Sequence, residues 1–153
     1  MPQPVATTTE KQVTGDLYAE VRTFYARQMR RVDALDIEGF ADTFTEDGEV
    51  VHSGGERQRG RAEMIAGMRA SLPRYRDICV RHWFEHLLIE ADPENTGDED
   101  TVRTSYYTLV ALTDREGKVS FQPTFTVEDE LVRRDGRLLT RSRVIHRDRP
   151  AGQ

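Results

Sequence analysis

The sequence predicts an α+β fold, a cone-shaped curved antiparallel sheet wrapped around three N-terminal helices. Apolar residues recur at spacings of three and four up to Leu72, and at every second position after Pro73. Helical segments come first and strands follow as hairpins. That is the segregated order of α+β proteins, not the alternation of α/β ones. With 153 residues, 37% apolar and 32% charged, the chain suits one domain with a packed core and a charged exterior.

The first helix is expected over 16–32, where Leu17, Val21, Phe24, Tyr25, Met29 and Val32 share a stripe. Thr14 or Asp16 is placed to cap it. A second helix follows the cap Asp36, with Ile37, Phe40, Ala41 and Phe44 inward. "TEDGE" (45–49) then reads as a turn, "EVVH" (49–52) as a short strand and "SGGERQRG" (53–60) as a loop. "RAEMIAGMRASL" (61–72) makes the third helix, with Met64, Ile65, Met68 and Leu72 inward, and Pro73 ends it. Strands are expected over 76–91, 101–113, 119–134 and 138–147. The acidic "DPENTGDED" (92–100) and "DREGK" (114–118) supply two turns, and Asp135-Gly136 is a strong hairpin signal. Pro123 interrupts the third long strand and marks a bulge or an edge. The domain spans 14–147. Residues 1–13 form a polar, flexible arm and 148–153 a flexible tail. A long bent sheet needs its apolar face covered, and the three helices are available to do it. Four long strands curling around helices leave a funnel open at one end.

Charge and composition exclude several function classes. The net charge of -5 and pI near 5.4 argue against a nucleic-acid surface, which needs a basic patch. The single cysteine, Cys79, permits neither an intramolecular disulfide nor a cysteine-based zinc site, and suits a reducing cytoplasm. No apolar run approaches the roughly 18 residues of a membrane span, and the N-terminus lacks the apolar segment of a secretory signal.

"VRHWFEH" (80–86) carries two of the four histidines. In a strand, His82, Phe84 and His86 fall on one face and Arg81, Trp83 and Glu85 on the other. Strand residues four apart are roughly 13 Å distant at ~3.3 Å per residue, too far to share one metal ion unaided. The sequence has no His-x-His pair and no His-Glu-x-x-His motif, so no metal is expected. Acid–base work is the better use. An imidazole beside a carboxylate takes or gives a proton near neutral pH. The carboxylate is sought at the end of the first helix, in Asp33 or Asp36, where capping or solvation is the competing role.

"YARQMRRVDALDIEGFADTFTEDGEVVHSGG" resembles the opening of the SnoaL-like branch of the nuclear-transport-factor-2-like (NTF2-like) superfamily. Asp33, Asp36, Phe40, Phe44 and the turn Thr45-Glu46-Asp47 take the places of that pattern. "GRAEMIAGM" is similar to the family's Gly-Arg-Glu-x-Ile helix start. "VRHWFEHLLIE" is similar to its Arg-His-x-x-x-Asn strand, with His82 at the His and His86 where Asn is frequent. "VEDELVRRDGRLLTRSRVI" resembles its closing hairpin, with Arg137-Leu138-Leu139 where the family often has Trp-x-Ile. The likeness runs over about 16–147. It implies an NTF2-like α+β barrel, often a homodimer through the outer sheet face. As in scytalone dehydratase and polyketide cyclases, it implies Asp33 and His82 as a general acid–base pair. It implies a small polyketide-like substrate and no cofactor. It also admits a non-catalytic role, as in the β subunits of ring-hydroxylating dioxygenases.

Beside that pair, the expected pocket residues are Tyr25, Met29, His52, Phe84, His86, Tyr106, Phe125 and Asp129. Core packing is the alternative for Tyr25, Met29 and Phe125. Asp129 reads either as an inward hydrogen-bond partner or as a surface charge. Only one of Tyr106 and Tyr107 can look inward. Arg141 and Arg143 share a face that reads as solvated or as a dimer interface, more readily than as a carboxylate site. Gly-x-Gly-x-x-Gly and Gly-x-Ser-x-Gly are absent, and no nucleotide loop or nucleophile elbow is expected.

Overall fold

The computed structural model describes residues 13–90 and 100–152. The helix α1 (Gly15–Asp33) starts where Thr14 Oγ1 accepts from Leu17 N–H at 3.2 Å. Its buried stripe, Val21, Tyr25 and Gln28, faces the sheet. Leu35, at φ 58°, turns the chain into the short α2 (Ile37–Ala41), which Asp36 caps through Gly39 N–H. A Cβ at Gly39 would overlap that capping carboxylate and the Arg31 guanidinium, so a larger residue would have to displace both side-chain ends.

The second helix stops at Ala41, earlier than its apolar spacing suggests. Thr43 turns its hydroxyl back onto the Phe40 carbonyl at 2.6 Å, and Thr140 N–H takes the Thr43 carbonyl at 2.9 Å. Phe44 thereby opens strand β1 (Phe44–His52), and "TEDGE" is a bulge within that strand rather than a turn before it. β2 (Arg57–Arg59) replaces the expected loop and pairs antiparallel with β1. Nothing in Arg-Gln-Arg favours a strand; the exposed edge of β1 recruits it. α3 (Arg61–Ser71) follows, and a 3-10 turn, Leu72–Tyr75, absorbs Pro73. Met64 is the fully buried residue of α3, with Ile65, Met68 and Leu72 half-buried.

The remaining strands are β3 (Cys79–Glu90), β4 (Thr101–Thr113), β5 (Val119–Phe121), β6 (Phe125–Arg134) and β7 (Arg137–Arg147). Pro123 divides the expected third long strand into β5 and β6, both antiparallel to β4. Asp135 and Gly136, at φ 51° and 76°, form the β6–β7 turn, the geometry that matches the strand twist. The seven-stranded sheet runs β2-β1-β7-β6-β4-β3, with β5 beside β4. It is antiparallel except where β1 lies parallel to β7. The main core joins α1 to the sheet through Val21, Tyr25, Ile89, Val102, Tyr106, Val127, Leu131 and Leu138. A smaller cluster, Phe44, Val50 and Met64, seats α3. No helix among the described residues is long and apolar enough to cross a membrane. The arm, apart from Val13, and the 92–100 tip, apart from Asp100, lie outside the described residues.

Candidate active site

β3 ends the sheet, so one of its sides has no neighbouring strand. The C-terminus of α1 lies against that side, and Asp33 is its last residue. The carboxylate accepts from the His82 backbone N–H at 3.1 and 3.3 Å, and Oδ1 stands 2.6 Å from His82 Nδ1. A carboxylate can only accept, so Nδ1 carries the proton, and in the neutral ring Nε2 is the nitrogen that keeps its lone pair. Two anchors on one residue hold the ring's position and tautomer together. Asp36, the other helix-end candidate, caps α2 and pairs with Arg31 at 3.3 Å.

His82 lines a cavity of about 300 Å³ under the sheet. Met29, Tyr106 and Phe125 line it, and His52 stands at its rim, largely exposed. The other walls are mainly apolar: Val32, Phe40, Val50, Met64, Val110, Val127 and Ile145. Met68, Tyr75, Gln58 and His52 border both this cavity and an outer cleft that runs past Leu35, Leu72 and Arg74. That cleft is the mouth.

Four expected pocket residues lie elsewhere. His86 is exposed and turned away, its ring 5.4 Å from that of Tyr107 on the outer face. The cause is a bulge between Glu85 and Leu88, with His86 at φ 58°, which breaks the two-residue alternation that placed it beside His82. Phe84 packs edge-on against Tyr25 and Tyr106, beneath the Arg22 guanidinium, and lines an outer groove instead. Tyr25 is fully buried in the core, and Asp129 lies behind the cavity wall.

Asp129 is the centre of a buried network. Arg143 binds it in a fork, Nε to Oδ1 at 2.9 Å and Nη2 to Oδ2 at 2.8 Å. Tyr25 and Tyr106 hydroxyls donate to Oδ2 at 2.8 and 3.2 Å. Tyr25 has one proton to give, so its 2.6 Å contact with Thr104 Oγ1 is one it accepts. Arg143 Nη2 also reaches Gln28 Oε1 at 2.5 Å, and Gln28 Nε2 donates to Thr43 and Thr140 hydroxyls. Burial, and then the Asp129 charge, push the Tyr25 hydroxyl well above the usual phenol range. Burial also raises Tyr106, partly offset by Arg143. For Arg143, burial works against the charged form, yet Asp129 outweighs it and holds the guanidinium above its ordinary value.

Arg143 lines the cavity as well, where the sequence favoured a solvated face or a dimer interface over a binding role. The available signal was its alternation with Ile145 on one strand face. Arg141, which the even spacing put on the same face, bonds Glu130, a neighbour of Asp129 on the opposite phase of β6. A register shift between Glu130 and Leu131 separates the two arginines.

Comparison with known proteins agrees with this architecture. The family model described as SnoaL-like domain matches residues 15–144. Aln2 from a Streptomyces species is 43% identical with a TM-score of 0.82, over 90% of this chain and 95% of that one. ActVI-ORFA from Streptomyces coelicolor is 37% identical with a TM-score of 0.78, over 87% and 98%. A Catenulispora acidiphila protein in complex with S-DNPA is 37% identical with a TM-score of 0.78, over 88% and 96%. No curated protein matches.

Proposed function

The chain belongs to the SnoaL-like domain family, on the polyketide cyclase and dehydratase branch of the NTF2-like superfamily, and from that premise we propose that it is a cofactor-independent cyclase, dehydratase or isomerase using Asp33 and His82. The fold is associated with small-molecule cyclase and isomerase activity in polyketide biosynthesis. The observation that carries the reading is the 2.6 Å contact between Asp33 Oδ1 and Nδ1 of a histidine that lines an apolar cavity.

In this mechanism His82 Nε2 removes a proton from the carbon next to a substrate carbonyl, and the bonding pair becomes an enolate. Asp33 stabilises the imidazolium that forms and keeps its second proton on Nδ1. In a dehydration the enolate pair expels the β-hydroxyl, which leaves as water with the proton from Nε2. In a ring closure the enolate carbon attacks a second carbonyl, and the same proton goes to the new alkoxide. In an isomerisation it returns to a different carbon. The substrate is a polyketide-like molecule bearing a carbonyl.

The test is deuterium uptake next to the carbonyl, followed by mass spectrometry, for β-hydroxy and β-keto ring precursors incubated in heavy water. His82→Ala, with its fold checked by circular dichroism, is expected to abolish uptake and product formation. Retained turnover by that variant would rule out His82 as the acid–base residue, and absence of uptake and turnover in the wild type would favour a non-catalytic binder.

A homodimer through the outer sheet face is part of the same reading. Trp83, Tyr107 and Phe121 stand there 63%, 55% and 64% exposed, an apolar patch on neighbouring strands. Light scattering on Trp83→Glu protein is expected to give a monomer.

A further inference from the structure

We propose that Arg143 Nη1 is a substrate-binding donor that selects molecules with a neutral carbonyl oxygen at the end remote from His82. The inference deepens the reading of the cavity as a substrate site and rests on it.

Arg143 is 5% exposed, and its partners are accounted for atom by atom. Nε and one Nη2 proton go to Asp129, and the other Nη2 proton goes to Gln28. Nη1, with two N–H groups, has no protein partner among the described residues. Among those residues, the one buried side-chain nitrogen or oxygen lacking a partner is Thr45 Oγ1. Nη1 therefore is not walled in, and the open space beside Arg143 is the cavity it lines. A guanidinium donor facing an apolar cavity is a strong, directional site for an oxygen acceptor.

Sheet register separates this donor from the acid–base pair. His82 lies opposite Val110 on β4. Arg143 lies opposite Asp129, which lies opposite Thr104 on β4. From Val110 to Thr104 is six positions, about 20 Å of strand, which the two side chains shorten from either end. Tyr106, Thr108, Val127 and Ile145 line the cavity between these rows. The ligand that reaches both ends has an extended, mostly apolar body, reacts at the His82 end and carries an oxygen at the Arg143 end.

Charge decides which oxygen. Arg143 and Asp129 together carry no net charge, and Asp129 is already held by Tyr25, Tyr106 and the guanidinium fork. A carboxylate at Nη1 would bring an uncompensated negative charge into an apolar cavity beside Asp129. A ketone oxygen accepts the same N–H groups without that cost.

Three probes of one shape separate these cases: 2-acetylnaphthalene, the hydrocarbon 2-isopropenylnaphthalene, and 2-naphthoate, each titrated by ligand-observed NMR. The wild-type protein is expected to hold the ketone about tenfold more tightly than the hydrocarbon, the worth of one charge-assisted hydrogen bond, and more tightly than the carboxylate. Arg143→Met, folded by circular dichroism, is expected to hold the ketone and hydrocarbon equally. If an unpaired Asp129 unfolds that variant, Asp129→Asn/Arg143→Met removes both charges and is read in the same way. The proposal is overturned if the wild type binds the two neutral probes equally, prefers the carboxylate or binds no probe, or if the folded variant keeps the preference. His82→Ala protein separates this claim from the acid–base reading, because its probe ranking is expected to match the wild type whether or not turnover is lost.

Discussion

Two carboxylates, each bound to a nitrogen side chain, serve this fold in opposite ways. Asp33 and His82 meet at the free edge of β3, with side chains 11% and 27% exposed. Asp129 and Arg143 meet under the sheet at 0% and 6%. The contact distances are similar, 2.6 and 2.8 Å. The nitrogen partner makes the difference. An imidazole gives up and regains a proton near neutral pH, whereas a guanidinium does not. A pair with an exchangeable proton, bordering both cavity and outer groove, can do acid–base chemistry. The inner pair is permanently charged, bonded to three further polar side chains, Tyr25, Tyr106 and Gln28, and borders the cavity through Arg143. In the proposed reading one pair moves protons, and the other is a fixed wall with one open donor.

Substitutions that treat the two pairs alike are expected to give opposite outcomes. The largest effect falls on catalysis. Asp33→Asn releases the His82 tautomer and is expected to lower kcat by about 10²–10⁴, the usual worth of a general acid–base group, while circular dichroism is unchanged. The largest effect on stability falls on the other pair. Asp129→Ala leaves Arg143 buried without its counter-charge and is expected to cost about 3–5 kcal/mol in urea unfolding. Asp33→Asn, which loses part of one hydrogen-bonded contact, is expected to cost about 1 kcal/mol in the same assay. Equal costs would remove the distinction between the pairs.

Alkaline pH sharpens the contrast further. Tyr25 and Tyr106 have folded values raised above the ordinary 10.0 of a phenol. A raised value means the folded state holds its proton longer than the unfolded chain. The resulting stability is complete below pH 10 and is lost as pH rises beyond it. The melting temperature is expected to fall above that point, and Tyr25→Phe/Tyr106→Phe protein to show a shallower fall. The smallest effect belongs to the outer rim. Glu85 pairs with Arg22 at 3.3 Å in solvent, and Glu85→Gln is expected to change stability by less than about 0.5 kcal/mol.

Much of the fold was legible from local pattern. The Thr14 and Asp36 caps, the helical stripe of α1, the break at Pro123 and the Asp135-Gly136 turn are each governed by a few neighbouring residues. The misreadings occur where a distant segment decides. Phe44 continues a helical spacing, yet Thr43 and Thr140 draw it into the sheet. Arg57–Arg59 has no strand character, yet the β1 edge captures it. His86 has the right spacing to join His82, yet the bulge at 86 turns it out. Asp129 was open to two readings, and burial among Tyr25, Tyr106 and Arg143 selects the inward one.

By itself, the sequence determined the order of helices before strands and most turns, while Asp33 and His82 as a pair came from the resemblance to the SnoaL-like branch. That order and those turns follow from periodicity, backbone preference and residues close along the chain. Only the tertiary structure decided that His86 stands outside and that Arg143 reaches the cavity. Each of these depends on sheet register and bulges, where a single-residue slip moves a side chain to the opposite face.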